Sequence, residues 1–368
     1  MKMKAAVVRE YGKPMSIEEV ELAPPKEKEV LVRTVYTGFC HSDWSGIAGH
    51  LVFPLPYVPG HEAAGVVEAV GPAVTSVKPG DHVVATWMIT CGQCPQCTSG
   101  RGYICSTSHD IHTSGTLWDR TSRLTDKSGK TLYHQTFVSG FAEYMVLPEQ
   151  GAVKISKEFP LDEACFIGCC MPTGFGAVTN VAQVKPGDSV AIWGLGGVGL
   201  NVVQGAKLRG AYPIIGVDIE ANREEIARQC GVTHFIDNSK DDPVPIIMEL
   251  TRGGVDYAFE VVGDAGAVTQ AYWTLAIGGR YIQIGAAIEP ASIIVGFAAL
   301  HNKWILGTMY GNVGTHHDLP KFVDMVARGD YNLKRLITKK FRLQEINEVF
   351  DAMAQRKIIG RWLCAFEQ

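Results

Sequence analysis

The sequence predicts an α/β protein of two domains, one β-rich and one doubly wound around a parallel sheet. Its 368 residues exceed what one small domain uses. In the first third, short runs rich in β-branched residues lie between Gly and Pro, which predicts strands over residues 4–8, 29–35, 64–70 and 82–86. Beyond about residue 170 the pattern becomes strand, glycine turn and helix, and this alternation is typical of a parallel sheet covered on both faces.

The second pattern continues to about residue 310 and sets the expected domain boundaries. We predict strands over residues 189–193, 214–218, 256–261, 280–285 and 292–295, and helices over residues 200–209 and 222–230. Two amphipathic helices, 319–328 and 343–355, then precede a strand at 361–366. We expect this C-terminal piece to return to the first domain, so that one domain comprises residues 1–170 with 311–368 and the other comprises residues 171–310.

Composition limits the class of function. Lys and Arg number 34 and Asp and Glu 38, and the net charge of −4 argues against a nucleic-acid binder with a basic surface. No uninterrupted apolar run reaches the roughly 20 residues of a membrane span, and the N-terminus lacks the apolar stretch of a secretory signal. We therefore expect a cytoplasmic protein that binds neither nucleic acid nor a membrane. In such a chain, ten cysteines favour metal ligation and burial over disulfides.

A glycine-rich loop follows the predicted strand 189–193 and opens the next helix. Its four glycines have the spacing of a dinucleotide-binding turn, and they are Gly194, Gly196, Gly197 and Gly199. Val198 lies between the last two. One glycine makes the tight turn, a second lets the backbone approach a pyrophosphate, and a third permits close packing of helix and strand. The phosphates then meet free N–H groups at the positive end of the helix dipole. No Gly-Lys-Ser/Thr follows, which excludes a P-loop.

An acidic residue supports this interpretation of the loop. Asp218 ends the next predicted strand, 19 residues beyond Gly199 and close to the expected spacing of about 20. A carboxylate there accepts hydrogen bonds from the ribose diol and repels a 2′-phosphate, so NAD is preferred over NADP. The alternative is an ordinary glycine turn followed by an unrelated acid.

Four cysteines within fifteen residues predict a metal-binding lobe at residues 91–105. They are Cys91, Cys94, Cys97 and Cys105. Four thiolates without histidine suit a closed tetrahedral zinc with a structural role. A redox Cys-x-x-Cys pair and an iron–sulfur cluster are the alternatives, but the first needs only two cysteines and the second normally has another spacing.

Three further segments, each unremarkable alone, complete a family pattern. They are Cys40-His41-Ser42-Asp43, Gly60-His61-Glu62 and Gly168-Cys169-Cys170-Met171-Pro172-Thr173-Gly174. Together with the cysteine lobe and the nucleotide loop, they make the chain resemble the zinc-dependent alcohol dehydrogenases of the medium-chain dehydrogenase/reductase family over nearly its whole length. The resemblance implies a GroES-like catalytic domain and a Rossmann NAD-binding domain.

The resemblance also implies a catalytic zinc on two thiolates and one imidazole. Its ligands would be Cys40, His61 and Cys169, with Cys170 the weaker alternative for the last. Such a set leaves an open fourth position, as a catalytic zinc requires. Glu62 matches the family's carboxylate behind the zinc, and Asp43 matches the one that fixes the ring of His61.

Further roles follow from the same matches. An alcohol would occupy the open position, lose its proton through Ser42 and transfer hydride to NAD. The family positions that contact the cofactor correspond to His41, Thr173, Val198, Arg223 and Arg361. Trp87 matches an aromatic position of the substrate pocket, although core packing explains it equally well.

Departures from the family pattern leave other questions open. The common proton-relay histidine is replaced by Ser45, which leaves the proton exit unassigned. The segment from residue 115 to 144 resembles the long loop of the dimeric members and favours a homodimer, and the compact segment before Gly60 lacks the acidic stretch of glutathione-adduct enzymes. We expect His112 to be a surface or loop residue, because it has no ligand spacing to a fixed partner.

Three other functions stay open at this point. A nicotinoprotein would keep its NAD through every turnover, and an enzyme for hydroxyacyl thioesters or alicyclic alcohols would share the same scaffold. More distant is a non-catalytic protein that binds NAD and zinc. In a non-catalytic protein of that kind, other residues could replace those of the open metal site, yet all of them are present.

Overall fold

A computed structural model describes residues 1–286, 289–293 and 295–366 of the chain. The chain divides into two compact units. The first comprises Met1–Cys169 together with the chain from Gly314 onward, and the second comprises Cys170–Val313.

The first unit is β-rich and the second alternates strands with helices. Over the described residues the strands are β1 (Lys2–Val7), β2 (Ser16–Leu22), β3 (Glu29–Gly38), β4 (Tyr57–Val58), β5 (Glu62–Val70), β6 (His82–Ala85), β7 (Leu124–Asp126), β8 (Thr131–His134), β9 (Tyr144–Pro148), β10 (Ala152–Ile155), β11 (Val190–Trp193), β12 (Ile214–Asp218), β13 (His234–Asp237), β14 (Val255–Glu260), β15 (Leu275–Gln283), β16 (Trp304–Gly307), β17 (Ile337–Phe341) and β18 (Arg361–Ala365).

The helices are mostly short, and most of them follow a strand or a glycine turn. They are α1 (His41–Ala48), α2 (Pro95–Thr98), α3 (Ser106–His112), α4 (Leu161–Ile167), α5 (Cys170–Gly176), α6 (Gly197–Leu208), α7 (Glu224–Cys230), α8 (Pro243–Leu250), α9 (Ala265–Trp273), α10 (Val295–Leu300), α11 (Thr315–Ala327) and α12 (Ile346–Ala354), and a π-helical turn Ala177–Ala182 follows α5. Among the described residues no single helix has the length and apolarity to cross a membrane, and only the bent pair Leu161–Ile167 and Cys170–Ala182 would pass that test together.

Two sheets form the first unit. A five-stranded sheet has the order β1-β2-β7-β8-β4, and a seven-stranded sheet has the order β10-β6-β5-β3-β18-β17 with β9 paired to β3. Strand β3 lies in the middle of the seven-stranded sheet, and most of its residues are buried. Its Val30 and Val32 side chains belong to a cluster of buried apolar residues. The C-terminal strand β18 pairs with β3, so the last residues of the chain complete the first unit.

The second unit is one six-stranded sheet in which every pairing is parallel. Its order is β13-β12-β11-β14-β15-β16, which is the order 3-2-1-4-5-6 of a doubly wound nucleotide-binding sheet. Strand β11 is Val-Ala-Ile-Trp and buried throughout, as expected where helices cover both faces. In such sheets ligands bind at the carboxyl ends of the strands, next to the first strand of the order.

Most predicted elements are confirmed, with ends displaced by a few residues. The strand at 214–218 has the predicted bounds, and the helix predicted at 200–209 begins earlier, at Gly197. Nine strands observed in the described part of the chain were not predicted, namely β2, β4, β7, β8, β9, β10, β13, β16 and β17. The strand expected at 292–295 includes Ile294, which lies outside the described residues, and Val295 begins helix α10.

A buried ion pair links two distant segments of the first unit. The Arg123 guanidinium donates to the Glu29 carboxylate through Nε at 2.8 Å, and the two side chains are only 2% and 9% exposed. Arg123 also donates to Asp119 at 2.8 Å. A buried pair of this kind contributes little net stability, but removing one partner leaves an uncompensated charge in the interior.

We therefore expect Arg123→Met to lower the free energy of unfolding by about 3–5 kcal/mol. Lys2→Met is the matched control, because Lys2 and Glu19 form an exposed pair at 66% and 62% exposure, whose loss should cost less than about 1 kcal/mol. Urea denaturation followed by circular dichroism compares the two variants. Equal urea midpoints of unfolding for the two variants would contradict the expected cost of leaving one partner of the buried pair uncompensated.

Candidate functional site

Three ligand groups from separate segments of the first unit meet in the interior. Strands β3 and β5 are antiparallel with Gly38 opposite Glu62, and this register brings Cys40 and His61 together from the ends of the two strands. Cys169 joins them just after α4. One ligand atom from each of the three residues lies within 4.8 Å of the others, and all three are buried.

The structure separates the two adjacent thiols. Cys169 lies in the three-ligand cluster. The Cys170 Sγ instead accepts a hydrogen bond from Asn201 Nδ2 at 3.5 Å, within the second unit.

One carboxylate holds two of the three ligands. Asp43 Oδ1 lies 2.7 Å from His61 Nδ1, and Asp43 Oδ2 accepts the backbone N–H of Cys40 at 2.9 Å. Asp43 lies in the first turn of α1 and is fully buried. With Nδ1 engaged, Nε2 is the atom of His61 left for a metal.

The electrostatics of the cluster suit a cation. The pKa of the Cys40 thiol lies well below its usual range, chiefly because the Cys169 thiol bonds to it, with the Arg361 charge adding to the effect. Burial works to lower the pKa of His61, but the Asp43 carboxylate outweighs it and raises that pKa well above the ordinary value. Two thiols and one imidazole form the donor set of a catalytic zinc, so these residues fit the ion.

Glu62 and Arg361 form a buried pair behind the cluster. Arg361 Nε lies 3.0 Å from Glu62 Oε2, and the side chains are 4% and 0% exposed. Arg361 Nη1 also donates to the Phe39 carbonyl at 3.3 Å. Arg361 is thus hydrogen-bonded to the residue that directly precedes Cys40.

The start of α1 carries an exposed polar group beside the cluster. His41 and Ser42 are both exposed. The Ser45 hydroxyl, at the position of the family's relay histidine, lies 3.3 Å from His41 Nδ1.

The four cysteines of the predicted lobe also converge. The Sγ atoms of Cys91 and Cys97 are 4.0 Å apart, and those of Cys94 and Cys105 are 3.8 Å apart. Four sulfurs at about 2.3 Å from one tetrahedral ion stand about 3.8 Å from each other. The backbone N–H of Cys97 lowers the pKa of Cys94 to about 5, which favours a thiolate. This set fits a closed zinc site.

The glycine-rich loop joins β11 to α6 in the second unit. Gly194 has a φ of +90°, and Gly196 is the N-cap of α6. A Cβ on Gly199 would lie 1.8 Å from the Gly194 carbonyl oxygen, so only glycine permits this turn. Val198 and Thr173 are both half-buried, the latter on α5.

Asp218 at the end of β12 forms a hydrogen bond to the glycine-rich loop. Its Oδ2 accepts the backbone N–H of Leu195 at 2.7 Å and lies 3.0 Å from Arg223 Nη1. A cavity of about 350 Å³ lies where β12 and β13 end, and its lining residues include Ala221, Ile236 and Asp237. The loop and the acid together have the features of a dinucleotide site.

Aromatic rings form a wall next to His61. The Trp87 ring lies edge-on to His61 with centroids 6.4 Å apart, and the His112 ring lies 5.2 Å beyond Trp87. Phe137 and Trp118 extend the row. The expectation that His112 is a surface or loop residue is wrong, because it is half-buried at the end of helix α3. Its Nε2 is buried, and burial lowers its pKa to about 3.

Sequence reasoning missed two residues near the cluster. His112 ends α3, the helix that begins after Cys105, and the fold carries it to Trp87. Gln135 accepts the backbone N–H of Gly60 at 2.6 Å, directly before His61. Neither residue stands in a motif, and only their tertiary contacts distinguish them.

Comparisons with known proteins agree with this geometry. Residues 26–157 match the family model of the alcohol dehydrogenase GroES-like domain, and residues 197–328 match that of zinc-binding dehydrogenases. The chain is 40% identical to an alcohol dehydrogenase class-3 of Pisum sativum, covering 95% of this chain and 94% of the relative. It is also 40% identical to an S-(hydroxymethyl)glutathione dehydrogenase of Synechocystis sp., covering 98% of both.

Two solved structures match over the full length of both chains. An alcohol dehydrogenase zinc-binding domain protein from Burkholderia ambifaria is 36% identical, with a TM-score of 0.94. The benzyl alcohol dehydrogenase from Acinetobacter calcoaceticus is 33% identical, with a TM-score of 0.93. From its sequence, fold and site, the chain belongs to the zinc-dependent, NAD-linked alcohol dehydrogenases of the medium-chain dehydrogenase/reductase family.

Proposed function

We propose that the protein reversibly oxidises a primary alcohol whose reacting carbon carries an aryl group. The observation that carries this proposal is the buried cluster of Cys40, His61 and Cys169 with the Trp87 ring against its imidazole. Two thiols and one imidazole suit an ion with an open position for the alcohol oxygen. The ring beside that position suits a flat apolar substituent.

The chain's own residues would prepare the metal site. When bound, zinc supplies a Lewis acid for the alcohol oxygen, and NAD supplies the hydride acceptor. Cys40, His61 and Cys169 would hold the ion, and Asp43 would fix the tautomer of His61 through the 2.7 Å contact to Nδ1. Glu62, neutralised by Arg361, would lie behind the ion without occupying its open position.

The proton would leave along the start of α1. Ser42 would accept it from the alcohol, and His41 with Ser45 would pass it to solvent. The 3.3 Å contact between His41 Nδ1 and the Ser45 hydroxyl supports this route, because an exposed imidazole exchanges protons with water near neutral pH.

The second unit would bind NAD, and the first would be the catalytic domain. The turn at Gly194, Gly196, Gly197 and Gly199 would receive the pyrophosphate at the start of α6. Asp218 would accept the ribose hydroxyls, with Arg223 beside the adenosine. From the family match we propose that His41 and Arg361 contact the pyrophosphate, and that Val198 and Thr173 contact the nicotinamide.

The four-cysteine lobe would hold a second, structural zinc. Cys91, Cys94, Cys97 and Cys105 fill all four tetrahedral positions, which leaves none for a substrate. Each chain would therefore contain two zinc ions.

A second candidate substrate is S-(hydroxymethyl)glutathione, since several relatives at 39% to 40% identity bear that name. The Trp87 ring next to His61 favours the aryl alcohol, because a charged tripeptide adduct gains little from an uncharged ring. A panel of aryl alcohols, and of formaldehyde with glutathione, separates the two. NAD retained after purification would indicate a nicotinoprotein.

We further propose a cytoplasmic homodimer. Strand β16 lies at the edge of its sheet, and Trp304 and Ile305 are about half exposed there, at 52% and 49%. An apolar, unpaired edge of this kind favours pairing with a second copy. Six cysteine ligands require thiols kept reduced, which suits the cytoplasm.

Cys40→Ala tests the catalytic metal site. We expect turnover to fall about a thousandfold or more, because a Lewis acid contributes several kcal/mol to the transition state. The affinity for NAD, measured by calorimetry, should stay near that of the wild type. Cys364→Ala, at a buried thiol outside the cluster, should keep its activity. Full activity in Cys40→Ala would remove this site from the mechanism.

Asp218→Asn tests the choice of cofactor. The variant keeps an oxygen for the Leu195 N–H but loses the charge that repels a 2′-phosphate. We expect the ratio of kcat/KM for NAD to that for NADP to fall by about tenfold or more. Asp188→Asn, at a turn outside the loop, is the control. An unchanged ratio in Asp218→Asn would show that another residue selects the cofactor.

Trp87→Ala tests the aromatic wall. Loss of a ring contact worth about 0.5–1.5 kcal/mol beyond its buried area should lower kcat/KM for benzyl alcohol about tenfold relative to ethanol. Trp87→Phe keeps a ring and should retain most of the preference. If both variants keep the wild-type ratio, Trp87 belongs to the core rather than to the pocket.

A further inference from the structure

The peptide before His61 is held by one distant segment of the chain. The Gly60 N–H donates to the Gln135 side-chain oxygen at 2.6 Å, and the Gly60 carbonyl accepts from the Gly140 N–H at 2.8 Å. The neighbouring Pro59 carbonyl accepts from the Phe141 N–H at 3.0 Å. Residues 135–141 therefore fix the backbone next to a zinc-binding side chain on both sides.

Gly60 has no freedom to take another position. Its φ is +102°, a conformation that L side chains rarely adopt. A Cβ would lie 2.6 Å from the Phe141 backbone nitrogen, so the two segments of the chain are in direct contact. A displacement of segment 135–141 would therefore move Gly60 and, with it, His61.

The same segment holds strained backbone. Thr136, Phe137 and Ser139 have φ values of +50°, +70° and +59°. Each such residue costs on the order of 1–3 kcal/mol, and conformations of this kind persist only where surrounding contacts hold them. Strain of this kind clusters at functional sites.

A buried polar network supplies those contacts. The Gln135 N–H donates to the Ser139 hydroxyl at 3.3 Å, and the Val138 N–H donates to the Gln135 carbonyl at 3.0 Å. The Ser139 hydroxyl lies 3.1 Å from His134 Nδ1. His134 Nε2 accepts the Arg123 N–H at 3.2 Å, which places the ring proton on Nδ1.

Gln135 is the one side chain of this segment that bonds directly to the Gly60 backbone, among the described contacts. Gln135 is 1% exposed, so water cannot replace its oxygen. Without that acceptor the Gly60 N–H would be buried and unpaired, which costs about 1–3 kcal/mol. Asp43 orients the ring of His61, whereas Gln135 orients the backbone that carries the ring.

We propose that Gln135 is a positioning residue for His61, holding the imidazole where it binds the catalytic zinc. The inference rests on the proposed metal site at Cys40, His61 and Cys169. It assigns to a residue 74 positions away in sequence a share of the affinity for that ion. The four-cysteine zinc should be independent of it.

Release of zinc to a chelator tests the proposal. We expect Gln135→Met, which keeps the length but removes the acceptor, to lose the catalytic zinc about tenfold faster than the wild type. The structural zinc should leave at the wild-type rate. Cys40→Ala, which would hold only the structural ion, identifies that phase. Cobalt substitution provides a second measurement, because the absorption bands of the three-ligand site should shift in Gln135→Met.

Two further variants separate positioning from general stability. Gln135→Glu keeps an oxygen acceptor and should retain the catalytic zinc even with a lower melting temperature. Asn347→Leu removes hydrogen bonds of 2.8 and 2.9 Å to the Met15 backbone and should change neither zinc. If Gln135→Met does not fold, Gln135→Asn makes the same comparison, because its shorter side chain withdraws the acceptor.

The outcomes are distinct. A wild-type protein with one zinc per chain would overturn the metal site itself. Two zincs in the wild type, released from Gln135→Met at wild-type rates or accelerated equally at both sites, would overturn only the role of Gln135.

Discussion

The carboxylate of Asp43 is the contact on which the site depends. It accepts the backbone N–H of Cys40 through one oxygen and holds Nδ1 of His61 with the other. Because Asp43 is fully buried on the first turn of α1, water does not compete for either contact. The two proposed metal ligands, 21 residues apart, therefore keep one relative position, and Cys169 completes the cluster just after α4.

Other parts of the first unit hold the residues around that carboxylate in place. The register of β3 with β5 brings the two ligand segments together, and β18 adds Arg361 beside Glu62. Gln135 holds the backbone before His61. Each layer comes from a different part of the chain, and this explains why the first unit needs both its N-terminal and its C-terminal segments. The site is thus a product of the whole β-rich unit.

Parts of this account were predictable because their physics is local. The glycine turn, Asp218 and the four cysteines each occupy a short stretch whose spacing follows from the ligand's geometry. The parallel sheet, though not the order of its strands, followed from the alternation of strands and helices. The cluster of Cys40, His61 and Cys169 became predictable only through the family resemblance, because these residues share no spacing rule.

The rest depended on contacts that spacing does not encode. Gln135 and His112 look like ordinary polar residues, and their roles arise from Gly60 and Trp87, which approach them only in the folded chain. Strand β2 has three glutamates among its seven residues, which concealed its pairing with β1. Burial decided these cases, and burial is a property of the tertiary structure.

Anomalous diffraction at the zinc absorption edge tests the central claim most directly. The account predicts two zinc ions per chain, one bound by the four cysteines of the lobe and one bound by Cys40, His61 and Cys169 with a non-protein fourth ligand. A single ion in the lobe, or a second ion whose four positions are all filled by side chains, would contradict it.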